Sequence, residues 1–153
     1  MRLLILSLLV WTIGTAEKCE NPDALHAESI ITIKRTPCFG QCPSYEFSIN
    51  GLGEANYKGE MFVEKKGNYT KTFTQHQTEG LFKAFYNANF QDFEDEYFND
   101  QIMDLPTTTL TLSHNGQTKS IKLQYDYPDE LSRLAELTQS YAFSDGWKAK
   151  DDM

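Results

Sequence analysis

"PTTTLTLSHNGQTKSIKLQ", residues 106–124, is the stretch on which the fold turns. Leu110 and Leu112 share one face of an alternating run, and Ile121 and Leu123 answer them on the far side of Asn115-Gly116. A period of two marks a half-buried strand. Asn-Gly supplies the two positive φ angles of a type I′ turn, whose twist matches that of paired strands. The stretch therefore predicts a tight antiparallel hairpin with four aliphatic side chains facing a core.

The same alternation recurs upstream. "SIITIKR" (29–35) puts Ile31 and Ile33 on one face, and "YEFSIN" (45–50) does the same with Tyr45, Phe47 and Ile49. "NGLG" (50–53) has turn chemistry and leads into "EANYKG" (54–59). "EMFVEK" (60–65) and "NYTKTF" (68–73) flank "KKGN" as a further hairpin. Thr74 and Gln77 then match a capping box, in which the two side chains satisfy orphan amides of a helix start. Leu81, Phe82, Phe85, Tyr86 and Ala88 follow at three- and four-residue steps and form its apolar stripe. Residues 90–104 read as an irregular acidic and aromatic segment in which Phe90, Phe93, Tyr97 and Phe98 tuck onto the core. After the hairpin, Pro128 suits the first position of a last helix with Leu131, Leu134, Leu137, Thr138 and Tyr141 inward, and Trp147 closes the core. The order β-β-β-β-α-β-β-α predicts an α+β fold, an antiparallel sheet with its helices packed on one face.

The ends of the chain speak about compartment. Arg2 is the only charge in the first sixteen residues, "LLILSLLVW" is an apolar run, and Ala16 ends a small-residue stretch. This is the pattern of a secretory signal peptide (1–16), cleaved before Glu17. The run is shorter than the roughly 20 apolar residues of a membrane span. Residues 17–28 lack periodicity and read as a flexible leader, and 29–148 as a single domain. Removing Arg2 leaves 13 basic against 22 acidic residues, a net charge of −9. Such a surface disfavours nucleic acid and anionic membranes, which bind basic patches. The protein is thus expected to be secreted or periplasmic, with an envelope protein or other ligand as its partner and no membrane span in the mature chain.

Three cysteines enter this exported chain: Cys19, Cys38 and Cys42. Oxidising compartments favour disulfides, and an odd count leaves one over. Between two strands, a C-x-x-x-C loop centred on Gly40 brings its ends within disulfide reach, about 5.5–6 Å between Cα atoms. Pro37 and Pro43 restrict the same loop from both sides. A bond there would shape the loop, and Cys19 would be the odd thiol.

"KRTPCFGQCPSYEFSINGLGEANYKG" resembles the signature of a bacterial family, domain of unknown function family 6438, through Thr36, Pro37, Cys38, Phe39, Gly40, Cys42, Pro43 and Tyr45. "DLPTTTLTL", with Asp104 and Pro106, resembles its second recognisable segment, and the likeness runs from about Ser29 to about Trp147. The resemblance implies a small exported domain, often tethered by lipid, and no activity. Lys18 departs from that pattern, because a lipidated Cys19 would want a small residue before it.

The same residues admit other chemistries. C-x-x-x-C-P also resembles the copper loop of exported thioredoxin-like chaperones, in which thiolates hold Cu(I) and a histidine completes the site. His26, His76 and His114 are the candidates. A thioredoxin-like site needs a helix after its first cysteine, and here the following residues alternate as a strand. Asp92, Glu94, Asp95, Glu96, Asp100 and Asp104 would offer oxygen to calcium, but in no calcium-loop spacing. Asp104 is expected to form a turn before Leu105-Pro106. No nucleophile elbow, H-E-x-x-H or glycine-rich phosphate loop is present. The sequence therefore points to a non-enzymatic binding module without a cofactor or metal, and alternatively to a copper-binding or thiol-redox protein using Cys38 and Cys42.

Overall fold

A computed structural model describes residues 25, 27–99, 101–102 and 104–150. The signal peptide, its cleavage site, Lys18, Cys19, His26 and Asp100 lie outside the described residues.

Eight strands form one sheet. In chain order they are β1 (Ile30–Arg35), β2 (Ser44–Asn50), β3 (Glu54–Met61), β4 (Gly67–Thr72), β5 (Glu96–Tyr97), β6 (Thr108–His114), β7 (Gln117–Leu123) and β8 (Lys148–Ala149). Helix α1 (Gln75–Asn87) follows β4, and α2 (Asp129–Ala142) follows β7. Across the sheet the order is β5-β7-β6-β1-β2-β3-β4-β8. The α+β class, with both helices on one face, is as the sequence predicts. The sheet is mixed, however: β5 runs parallel to β7, pairing Glu96 with Lys122 and Tyr97 with Leu123. The short edge strands β5 and β8 carry no alternation to announce them and exist only through their neighbours.

The hairpin forms as read. His114 pairs with Gln117 across a two-residue turn, and Asn115 and Gly116 have φ of 50° and 74°. Leu110, Leu112, Ile121 and Leu123 are fully buried with Ile31, Ile33, Phe47 and Ile49. The opposite face is polar, with cross-strand pairs such as Lys34–Glu46 and Thr111–Ser120.

Both helices begin near the predicted places. Thr74 caps α1, its Oγ1 accepting from the Gln77 amide and the Gln77 side chain accepting from the Thr74 amide. Leu81, Phe82 and Phe85 face the core. Tyr86 instead lies out, its ring against His114, because it falls a step beyond the buried stripe. Pro128 is the residue before α2 rather than its first. Leu131, Leu134, Thr138 and Ala142 are buried there, while Leu137 and Tyr141 are half-buried. The ring of Trp147 packs on Phe47, Tyr57 and Phe73.

Two further expectations need correction. Residues 60–65 are not a strand: β3 ends at Met61, and Phe62 takes a left-handed φ of 52° that no strand tolerates. In the acidic segment Phe90 is buried in a 3-10 turn, but Phe98 is exposed, since it lies beyond the two residues that pair with β7. Leu25 packs against the core.

Candidate functional site: the stapled end of the sheet

The strand registers place one set of loops together. β1 ends at Arg35 opposite Tyr45 and Thr108, near the starts of β2 and β6. β3 ends at Met61 opposite Ser44. Residues 36–43, 62–66, 98–99, 104–107 and 124–128 therefore all emerge from the same end. Helix α2 crosses beneath it. Its 14 residues span about 21 Å, close to the four strand spacings, about 19 Å, between β7 and β3.

At this end Cys38 and Cys42 form a disulfide, with Cα atoms 5.6 Å apart. The Gly40 amide donates to Cys38 Sγ at 3.2 Å. The loop's first foot is Thr36. Its amide donates to the Thr107 carbonyl at 3.0 Å, and its Oγ1 accepts from the Thr107 amide at 3.0 Å. Thr107 follows Pro106, so the two sequence segments that carry the family resemblance are joined here. Asp104 is exposed in a bend. It gains no amide two residues on, since that residue is Pro106, and the Thr107 amide is taken by Thr36. The second foot is Tyr45, buried on the helix side. Its hydroxyl donates to Gln139 Oε1 at 3.1 Å, and Arg35 Nη1 donates to the same oxygen at 3.3 Å. Burial pushes the Tyr45 phenol well above its ordinary pKa.

Between these feet the loop rises into solvent. Pro37 is exposed and Pro43 half-buried. Phe39 at the tip is 87% exposed, more than any other large apolar residue described. It has company: of the ten exposed large hydrophobics among the described residues, Phe39, Met61, Phe62, Phe98, Leu105, Tyr125 and Phe143 lie at this end, leaving Ile30, Leu52 and Tyr86 elsewhere. That asymmetry singles out the stapled end as the surface fitted to recognition.

Next to the loop is a cavity of about 220 Å³ lined by Pro43, Tyr57, Phe62, Val63, Glu64, Lys65, Ala142 and Phe143. Apart from Pro43, none of these was singled out by sequence reasoning, nor were Arg35 and Gln139. Arg35 was accessible in principle: it continues the inward face of Ile31 and Ile33, where a charge must find a partner.

The metal readings find no geometry among the described residues. His114 lies at the opposite end of the sheet, with Nδ1 2.9 Å from Ser29 Oγ, and His76 stands in the first turn of α1, beyond the β3–β4 pairing of Glu54 with Thr72. Neither reaches the cysteines. Asp95 and Glu96 pair with Lys119 and Lys122, and no group of three or more potential ligands converges among the described residues. The stapled loop joins two antiparallel strands, so no helix follows Cys38 as a thioredoxin-like site requires. Among the described residues, no helix is long and apolar enough to cross a membrane.

The chain belongs to the family described as domain of unknown function (DUF6438), which matches residues 29–142. The match covers everything from the first strand to the end of α2 and stops short of Trp147. No curated protein matches the chain.

Proposed function

We propose that this DUF6438 domain is an exported, non-enzymatic binding module that presents its disulfide-stapled loop to a protein of the cell envelope. One observation carries the reading: the most exposed large apolar side chain described, Phe39, stands on the most constrained loop. A bond between Cys38 and Cys42, the Thr36–Thr107 clamp and the Tyr45–Gln139 anchor all act on eight residues. Pre-ordering a loop lowers the entropy lost on binding. An aromatic side chain on such a loop is the usual form of an interface anchor.

The test is quantitative capture on immobilised mature protein from an envelope extract of the producing cell. Phe39→Ser and the double change Cys38→Ala with Cys42→Ala should each abolish the specific band. Equal capture by all three proteins would sink the proposal.

A second reading, thiol–disulfide exchange, is favoured by the Gly40 amide directed at Cys38 Sγ. An N–H on sulfur stabilises a thiolate and so assists its departure when a partner thiolate attacks Cys42 Sγ. Incubation with a small dithiol separates the two readings. A bond that resists mild reduction supports the binding module. Rapid opening, with one free thiol released on Cys38 in the mixed disulfide, supports exchange.

A further inference from the structure

We propose that the cavity beside the stapled loop is a binding site for one ring-sized apolar group bearing a hydrogen-bond acceptor, with the Tyr57 hydroxyl donating to that acceptor. Three independent features lead there.

The first is size. The cavity is about 220 Å³ and walled by Pro43, Phe62, Val63 and Phe143. An apolar cavity of about 150 Å³ holds benzene, and drug-sized ligands want about 300–1,000 Å³. The space suits a single ring with one small polar substituent.

The second is an unpartnered polar group. Tyr57 is only 2% exposed. Its ring is fixed among Tyr45, Phe143 and Trp147, with centroids at 6.0, 6.4 and 5.6 Å. Its hydroxyl makes no hydrogen bond within the described residues, whereas the neighbouring Tyr45 hydroxyl is held by Gln139. Tyr57 lines the cavity, so its hydroxyl is free to donate to a group seated there in place of water. Burial pushes the Tyr57 phenol up to about 12. It therefore keeps its proton near neutral pH and offers a donor, which selects a carbonyl or carboxylate.

The third is the construction of the lip. A bulge at Glu60 shifts the register between Ser44 and Tyr45. Phe62 then adopts a left-handed φ of 52°, a strained conformation for a bulky residue. Gly59 lets the Lys65 carbonyl fold back to a position that a Cβ would block. Bulge, strained aromatic and glycine together hold residues 62–65 over the cavity instead of extending β3.

This site goes beyond the loop's proposed role and stands whether or not Phe39 meets a partner. Fluorine NMR titration of the mature protein with 4-fluoroacetophenone, 4-fluorobenzoate and fluorobenzene tests it. At least one of the two oxygen-bearing probes should bind saturably, and Tyr57→Phe should weaken it by about two- to tenfold, the worth of one hydrogen bond. Fluorobenzene should bind Tyr57→Phe and the parent alike. Val63→Trp, with its fold checked by circular dichroism, should fill the cavity and remove all binding, and Phe39→Ser should change nothing. Absence of saturable binding by every probe would overturn the proposal. So would equal loss of fluorobenzene in Tyr57→Phe, or full binding by a folded Val63→Trp.

Discussion

At the end of the sheet formed by Asn50–Gly53, backbone and side chains close on one another. The Asn50 carbonyl oxygen of the side chain accepts from the amides of Leu52 and Glu54 at 3.0 and 2.9 Å, and its amide donates to Glu54 at 2.8 Å. The Phe73 amide reaches Gly53, and Ser29 accepts from Gly51. The capping box of Thr74 stands alongside. The opposite end spends a covalent bond on a loop that buries little and points Phe39 at solvent. Local hydrogen bonds suffice where the chain only has to turn. A cross-link is added where a loop must keep its shape without a core behind it.

Breaking the core that both ends share should give the largest effect. Leu112→Ala should cost about 2–5 kcal/mol, read as a shift in urea midpoint, because Leu112 is 1% exposed between β1 and β7. A negligible shift would mean that the strand presents its other face.

Removing the staple should cost less. Cys38→Ala with Cys42→Ala should lower stability by at most about 2 kcal/mol, the chain-entropy value for so short a loop, and leave a cooperative unfolding transition. Collapse of the whole domain would make the bond part of the framework rather than a local constraint. At the hydrogen-bonded end, Asn50→Ala should cost about 1–2 kcal/mol, since two amides lose their acceptor. Protection of the Leu52 and Glu54 amides from hydrogen exchange should fall with it.

The buried tyrosines add a pH dependence. Tyr57 titrates at 10.0 when free and near 12 in the fold, chiefly through burial. Between those values the unfolded chain has released a proton that the folded chain keeps, so stability is full below pH 10 and falls as pH rises toward 12. Tyr45 is raised in the same direction. Tyr57→Phe should flatten part of that alkaline decline, as measured by denaturant midpoints across the range. The smallest effect on stability belongs to Phe39→Ser, within about 0.5 kcal/mol, as for other exposed positions.

What the sequence disclosed follows the range of the interactions. The 108–123 hairpin was legible because its turn is local chemistry and its aliphatic residues alternate. The cap at Thr74 was legible because four consecutive residues, Thr74 to Gln77, suffice to make it. The Cys38–Cys42 pairing was foreseen for the same reason, since the two are four residues apart. β5 and β8 were not: each is two residues long and owes its pairing to strands far away in the chain. Residues 60–65 misled because Met61 and Val63 imitate alternation while Phe62 turns the backbone away. The cavity was invisible for a stronger reason. Pro43, Tyr57 and Phe143 come from a loop, a strand and the residue after a helix, and no sequence window contains them.

The two ends can be set directly against each other with a photoreactive phenylalanine analogue, placed once at position 39 and once at 52. Phe39 and Leu52 are both exposed, at 87% and 57%, but they sit at opposite ends of the sheet. On illumination in the producing cell, position 39 should give a discrete adduct with an envelope protein that disappears when Cys38 and Cys42 are replaced by alanine, and position 52 should give none. The same adducts from both positions, or none from position 39, would contradict the assignment of recognition to the stapled end.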